Sequence, residues 1–255
     1  MTGGQDPLLE LTYKRGYILR AISTDGAEKR DLADELSDSR PTIDRAIREL
    51  EAEGLVVRIE GNCQLTLLGR LLYERYQEVR KDYKKFKSAK RLLQELGPSE
   101  PIDDRFLSGS TTIECPDRMP YGPTPITESM ISQADTVRGI LSRVLPESIE
   151  SEELTDQEVK RTFVIHPGVV DATDSHRHPI IQRMNEESYE VLKTSETPDF
   201  DLLLIDDDLV FIRVYSQTGG QLLGMIKNDS DAAIKWGEEL FRQKKRRAKR
   251  VLGGE

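Results

Sequence analysis

Asp25–Asn62 reads DGAEKRDLADELSDSRPTIDRAIRELEAEGLVVRIEGN, and its apolar spacing decides how the N-terminal part of the chain folds. Ile43, Ile47, Leu50 and Gly54 recur at steps of four and three, so one stripe of a helix beginning near Ser39 faces a core. The opposite flank carries Arg40, Thr42, Arg45 and Arg48. Ser39 suits an N-cap, because its hydroxyl can accept a bond from an orphan N–H in the first turn, and Pro41 has no N–H needing a partner there. Upstream, Leu32, Ala33 and Leu36 predict a shorter helix, with Ser37 and Asp38 in the turn, which is helix-turn-helix spacing. Gly54 suits a left-handed C-terminal cap. Beyond it Leu55 to Ile59 alternates, Gly61-Asn62 is expected to turn, and Gln64 to Leu68 returns. Helix, turn, helix and hairpin in that order predict a winged helix.

A polar helix face opposite a buried one is what duplex reading needs. Ser39, Arg40, Thr42 and Arg45 are expected in the major groove, with Arg48, Arg58 and Asn62 near phosphates or the minor groove. The plainer alternative is an amphipathic helix whose arginines only solvate the surface. The segment Ser39–Val56, SRPTIDRAIRELEAEGLV, resembles the recognition helices of archaeal and bacterial winged-helix regulators, which often read S-R-x-T-[IV]-x-R-A-[IL]-x-E-L-E-x-x-G-L-[VI]; Pro41 is the unusual residue. That resemblance implies the fold and a DNA partner. Because winged helices also mediate protein contacts, a protein-interaction module without specific DNA binding stands as the alternative.

With 255 residues, 36% hydrophobic and 33% charged, the chain can hold one small domain and one of about 150 residues, each with its own core. No apolar run of ~18 residues is present, so no membrane partner is expected. Met1–Gln5 lacks the apolar stretch of a signal peptide and looks like a piece of an expression tag. Cys63 and Cys115 are far apart in sequence, which argues against a disulfide framework and fits a reducing cytoplasm. The net charge of −9 is uneven: 18 Lys+Arg face 17 Asp+Glu over residues 1–96, 12 face 28 over 97–241, and 7 face 1 over 242–255. The acidity belongs to the second part, where repulsion from phosphate does no harm to a reader at the N-terminus.

The expected fold class is α+β: a winged helix over residues 6–68, a long linker helix over 69–96, and a mixed α/β effector domain over 97–255 with a basic C-terminal tail. An apolar helix from Pro7 to Ser23 closes the first core. Gly69–Leu96 contains no proline or internal glycine. Its seam of Leu72, Tyr76, Val79, Tyr83, Phe86 and Leu93, broken by Lys90, predicts a homodimer contact, with packing on the chain's own second domain as the alternative. Gly97–Pro125 is proline-punctuated and reads as a connecting segment with a β-like patch at Thr111–Cys115. Helices are then expected over 126–145 and 180–193, strands over 162–166, 202–206, 209–215 and 222–227, the last three as an antiparallel meander, and a closing helix over 231–249.

This second part, with LLLIDDDLVFI and IKWGEELF, resembles the effector domain of archaeal methanogenesis-type regulators, widespread also in haloarchaea. It is similar too to sugar-responsive archaeal regulators whose C-terminal part looks like a phospholipase D fold. The resemblance implies a transcription factor tuned by a small effector. No enzyme is expected: His166, His176 and His178 are not followed two residues later by lysine, and no phosphate-cradling glycine loop or nucleophile elbow is present. No cofactor is expected. The cluster HPGVVDATDSHRH, His166–His178, leaves a metal-responsive regulator open as a variant, though its spacing matches no closed metal motif. Asp206-Asp207-Asp208 reads as a cation site or a solvated turn, and the tail KKRRAKR as a DNA contact or a helix end. For the effector, His166 at a strand end, and Arg213 with Tyr215 on one strand face, are the expected contacts, against the alternative of a surface arginine and a half-buried tyrosine.

Overall fold

The structure is a computed structural model that describes residues 6–23, 26–116, 129–131, 133–143, 159–168, 188–218 and 220–250. The chain divides into two compact units, Met1–Lys84 and Lys85–Glu255.

In the first unit, α1 (Pro7–Ile22) starts where the Asp6 carboxylate accepts the Leu8 amide at 3.0 Å, with Pro7 at the position whose N–H would be orphaned. The order continues β1 (Ala27–Glu28), α2 (Lys29–Glu35), α3 (Arg40–Ala52), β2 (Val56–Ile59), β3 (Asn62–Leu65) and α4 (Leu67–Gln94). The strands form a small antiparallel sheet in the order β1-β3-β2. Its core gathers Leu32, Ile43, Ile47 and Leu50, which the apolar spacing had put inside, with Ile18, Leu19, Leu55 and Cys63 beside them. The end of α3 is fixed by a Schellman pair: Leu55 N–H reaches Leu50 O at 2.9 Å and Gly54 N–H reaches Glu51 O at 3.0 Å, with Gly54 at φ 69°.

The wing turns one residue earlier than expected. Glu60 (φ 51°) and Gly61 (φ 90°) are its two central residues, and Asn62 opens β3 opposite Ile59. A two-residue hairpin needs positive φ at both central positions, and Glu60-Gly61 supplies them. Thr66 then joins wing to helix: its hydroxyl donates to Gly54 O at 2.6 Å and accepts the Gly69 amide at 3.0 Å. This seats Gly69 against the wing so closely that a Cβ there would lie 2.0 Å from the Leu55 carbonyl oxygen.

The second unit begins inside α4, since Ala89 and Leu92 are fully buried in its core. The expected boundary at Gly97 therefore falls within this unit. After α5 (Asp104–Leu107), the strands β4 (Thr111–Glu114), β5 (Thr136–Leu141), β6 (Lys160–Ile165), β7 (Tyr189–Lys193), β8 (Phe200–Ile205), β9 (Leu209–Tyr215), β10 (Leu222–Asn228) and β11 (Lys249–Arg250) form one mixed sheet, with α6 (Asp231–Arg247) between the last two. The order is β11-β7-β6-β5-β8-β9-β10-β4. β5, β6 and β7 run parallel, and the expected meander β8-β9-β10 is antiparallel. β8 is buried along its whole length, because one face packs under α6 with Trp236 and Leu240 and the other faces Val137, Phe163 and Phe211.

Three expectations for this unit are corrected. Residues 136–141, expected inside a helix, are strand β5: Val137, Ile140 and Leu141 fit a helical stripe, but Val137 and Leu141 face one side of a sheet and Ile140 the other. Residues 189–193, expected to end a helix, are strand β7; the rest of that expected helix, 180–187, lies outside the described residues. Thr111–Glu114 is a sheet edge strand paired with β10 and no mere connection. Among the described residues no helix is long and apolar enough to cross a membrane.

Candidate nucleic-acid interface

The N-terminus of α3 is built as expected. Ser39 Oγ accepts the Thr42 amide at 3.3 Å and lies 2.7 Å from Thr42 Oγ1, which fixes the entry of the chain into the helix. With Ile43, Ala46, Ile47 and Leu50 buried, the opposite face must be exposed, and it carries Ser39, Arg40, Thr42, Arg45 and Arg48 together. Arg45 is 77% exposed and its Nε donates to Glu49 Oε1 at 2.9 Å. Glu49 uses its other oxygen for Arg15, whose Nη2 approaches to 2.7 Å. The Arg15 guanidinium holds the Glu49 carboxyl below the usual range, against a smaller opposing effect of burial.

Arg58 is exposed on the wing strand, where its Nη2 donates to Glu51 Oε2 at 2.6 Å. Asn62 is half-buried within the small sheet, opposite both Ile59 and Glu28, and is not at the wing tip. The sequence reading missed the carboxylates that guard these arginines. The Arg45–Glu49 spacing of four was a legible signal for the first; Glu51 reaches Arg58 only because the wing folds back beside α3. Lys29, which opens α2 and pairs with Asp44, was missed as well.

In the second unit, Arg213 and Tyr215 do share a face of β9, but both are buried. They close on Asp201, the cross-strand partner of Arg213 on β8, which is fully buried. Arg213 Nη2 lies 2.7 Å from Asp201 Oδ2, and the Tyr215 hydroxyl donates to that same oxygen. Asp201 Oδ1 accepts from Ser142 N at 2.7 Å, Ser142 Oγ at 3.0 Å and Arg143 N at 3.3 Å. Burial pushes the Tyr215 hydroxyl well above the ordinary phenol range. Burial also works against the Arg213 charge, yet Tyr215 and Asp201 outweigh it and raise its pKa. Arg213 is therefore not a surface arginine and Tyr215 not a half-buried tyrosine: both are enclosed around Asp201. Arg143, whose guanidinium lies 5.5 Å over the Tyr215 ring, is the more accessible cation. His166 Nδ1 accepts from Gly168 N–H at 3.0 Å, within its own turn.

The remaining candidates resolve into structural contacts. Asp206 Oδ1 accepts the amides of Asp135 and Thr136 at 2.9 and 2.7 Å, and Asp207 pairs with Arg138, so the aspartate turn tethers the start of β5. Lys245 and Arg247 of the basic tail pair with Glu190 and Glu196. His176 and His178 lie outside the described residues. Among the described residues, no group of three or more His, Cys, Asp or Glu is placed to hold a metal. Cys63 and Cys115 are both buried and are not joined in a disulfide.

A winged helix followed by a separate mixed-sheet unit is the class of protein that this fold defines. The family model of the middle domain of the methanogenesis regulatory protein FilR1 matches residues 120–247, half of the chain, and the chain belongs to that family. The model of the HVO_A0261 N-terminal domain matches residues 8–87. The chain is similar to the HTH-type transcriptional regulator GlpR of Haloferax volcanii, with 32% identity over 118 residues, covering 46% of each; the match thus spans about half the length of that curated relative. Among solved structures it is similar to TrmBL2, an archaeal chromatin protein, at 15% identity over 96% of this chain and 99% of that one, TM-score 0.41. NucT from Helicobacter pylori is similar at 12% identity over 56% of this chain and 98% of that one, TM-score 0.44.

Proposed function

We propose that the chain is a sequence-specific DNA-binding transcriptional regulator acting on double-stranded DNA in the cytoplasm, with no catalytic step of its own. One observation carries this reading: the exposed face of a firmly capped α3 presents Ser39, Arg40, Thr42, Arg45 and Arg48 side by side. An exposed arginine such as Arg45, held by the half-buried Glu49 at the surface, can exchange that partner for a base edge or a phosphate at little cost. Membership of a regulator family and the likeness to a curated transcriptional regulator support it.

The test is binding to a duplex from the chain's own upstream region against random DNA of equal length at matched salt. The native chain is expected to prefer its own site; Arg45→Ala relaxes that preference, whereas Arg58→Ala weakens all sequences alike. Equal affinity for both duplexes sinks the reading and leaves a protein-interaction winged helix.

Two finer parts belong to the proposal. A homodimer forms through α4, where Val79, Tyr83 and Phe86 are exposed; an unchanged sedimentation coefficient in a Val79→Glu, Phe86→Glu chain counts against it. The second unit binds a small effector at the ends of β5 and β6, with Arg143, over the Tyr215 ring, and His166, at the end of β6, as its contacts. Metabolites that raise the melting temperature without altering DNA affinity count against that control.

A further inference from the structure

Within the first unit, α4 carries two stripes. Leu72, Tyr76, Val79 and Tyr83 are apolar, and Tyr76 of this stripe packs edge-on against Tyr13 at 5.4 Å. A second stripe, turned by about 100° around the helix, reads Tyr73, Gln77, Arg80 and Lys84, with Lys81 at its edge. Arg20, from the last turn of α1, closes on this second stripe. Together these side chains line a groove of about 320 Å³.

Four cations and no carboxylate line the groove. Among the described residues, none of Arg20, Arg80, Lys81 and Lys84 forms an ion pair, although exposed arginines elsewhere on the chain pair readily: Arg70 with Glu74, and Arg75 with Glu78. The helical period turns Glu78 and Asp82 away from the stripe. Gln77 Nε2 donates to the Tyr73 hydroxyl, which leaves that hydroxyl's own hydrogen to donate outward. Like charges gathered in a concavity repel one another and focus a positive potential, which an anion relieves. The shape says which kind of anion. From residue 73 to residue 84 the stripe runs ~16 Å along the helix, and the groove is open along it, whereas a compact phosphate needs one convergent point. A duplex strand presents a phosphate every ~3.4 Å of axis, so several face a stripe of this length.

We propose that the groove between α1 and α4 is a second DNA-contact surface of the first unit, binding backbone phosphates of duplex that flanks the bases read by α3. This rests on the DNA-binding reading above and adds a sequence-independent part to it.

The experiment is a salt titration of duplex binding by the full chain and its Arg80→Gln, Lys84→Gln variant, with duplexes that carry or lack flanking base pairs. Each lost phosphate contact lowers the slope of log K against log salt by ~0.9, so the variant should lose ~2 in slope and weaken on every sequence while keeping its site preference. Arg80→Lys should keep the native slope, and trimming the flanks should remove the difference between native chain and variant. Retention of helical circular dichroism shows that the variant is folded. A native chain that binds its site, with a variant of equal slope and affinity, overturns the surface and spares the DNA-binding reading. A variant that loses only binding of inorganic tripolyphosphate, read by thermal shift, also overturns it and makes the groove a small-anion site. A native chain that binds no duplex overturns the DNA-binding reading and this one with it.

Discussion

Arg45 on α3 and Arg213 on β9 each face a carboxylate at hydrogen-bond distance, yet the two pairs do opposite work. Arg45 is 77% exposed and shares Glu49 with Arg15, while Arg213 is 7% exposed and shares Asp201 with Tyr215. Water screens the first pair, so its net worth is about 0–1 kcal/mol and its arginine is free to leave. The second pair has no such freedom: each partner, left alone, is a charge in an apolar interior. Pairs that can be exchanged belong where a ligand arrives, and pairs that cannot be exchanged hold strands in register.

The sharpest way to break this contrast is Asp201→Ala. It should cost the second unit about 3–5 kcal/mol, because it leaves the Arg213 guanidinium buried and unpaired. Trp236 is the sole tryptophan and lies in that unit's core, so its fluorescence in a urea titration reads the loss. Adding Arg213→Met should recover part of it; a midpoint unmoved by Asp201→Ala would show that the burial argument is wrong.

The next effect tests whether the first unit owes its stability to packing more than to its ion pairs. Gly69→Ala puts a methyl 2.0 Å from the Leu55 carbonyl oxygen, and backbone cannot yield as a side-chain tip can. A loss of about 1–3 kcal/mol is expected. In a Cys115→Ser background Cys63 is the single thiol; burial pushes that thiol up and hides it, so its labelling rate reports opening of the first unit. An unchanged labelling rate would refute the tight seat of α4.

The smallest effect sharpens the exposed side. Glu49 has its folded pKa depressed, chiefly by Arg15, so its stabilisation is present above the ordinary carboxylate value of ~4.3 and fades as pH falls through the folded value. Glu49→Gln should therefore flatten the acid limb of thermal melts while shifting stability at pH 7 by under about 1 kcal/mol. If the native and variant melts stay parallel down to the acid limit, the Arg15 pair contributes nothing.

Local chemistry made the first unit legible. A Ser39 cap, Pro41, a four-and-three apolar stripe and a Gly54 stop all act within a few residues of one another, so helix, turn, helix and hairpin could be read in order; the wing turn was missed by one residue, the return strand stops at Leu65 instead of Leu68, and the short strand β1 was not foreseen. The exposed arginine face followed by elimination, since the buried face was already assigned. The strands of the meander were legible for the same reason, being short apolar runs between turn residues.

What the sequence could not show is which short apolar runs in the second unit become strands. Residues 136–141 fit a helical stripe as well as a sheet, and only their burial from both sides, with β6 and β8 as neighbours, selects the strand. The same holds for Arg213. Its position two residues from Tyr215 was plain from the sequence; that both would be sealed around Asp201, 12 residues before Arg213 in the chain, depended on the pairing of β8 with β9. Local hydrogen bonding and helical period determine caps, turns and faces, so the sequence by itself determined the winged helix and the residues it exposes. Burial is a property of what packs on top, so the tertiary structure alone decided which cations stay in water to meet a partner and which are enclosed.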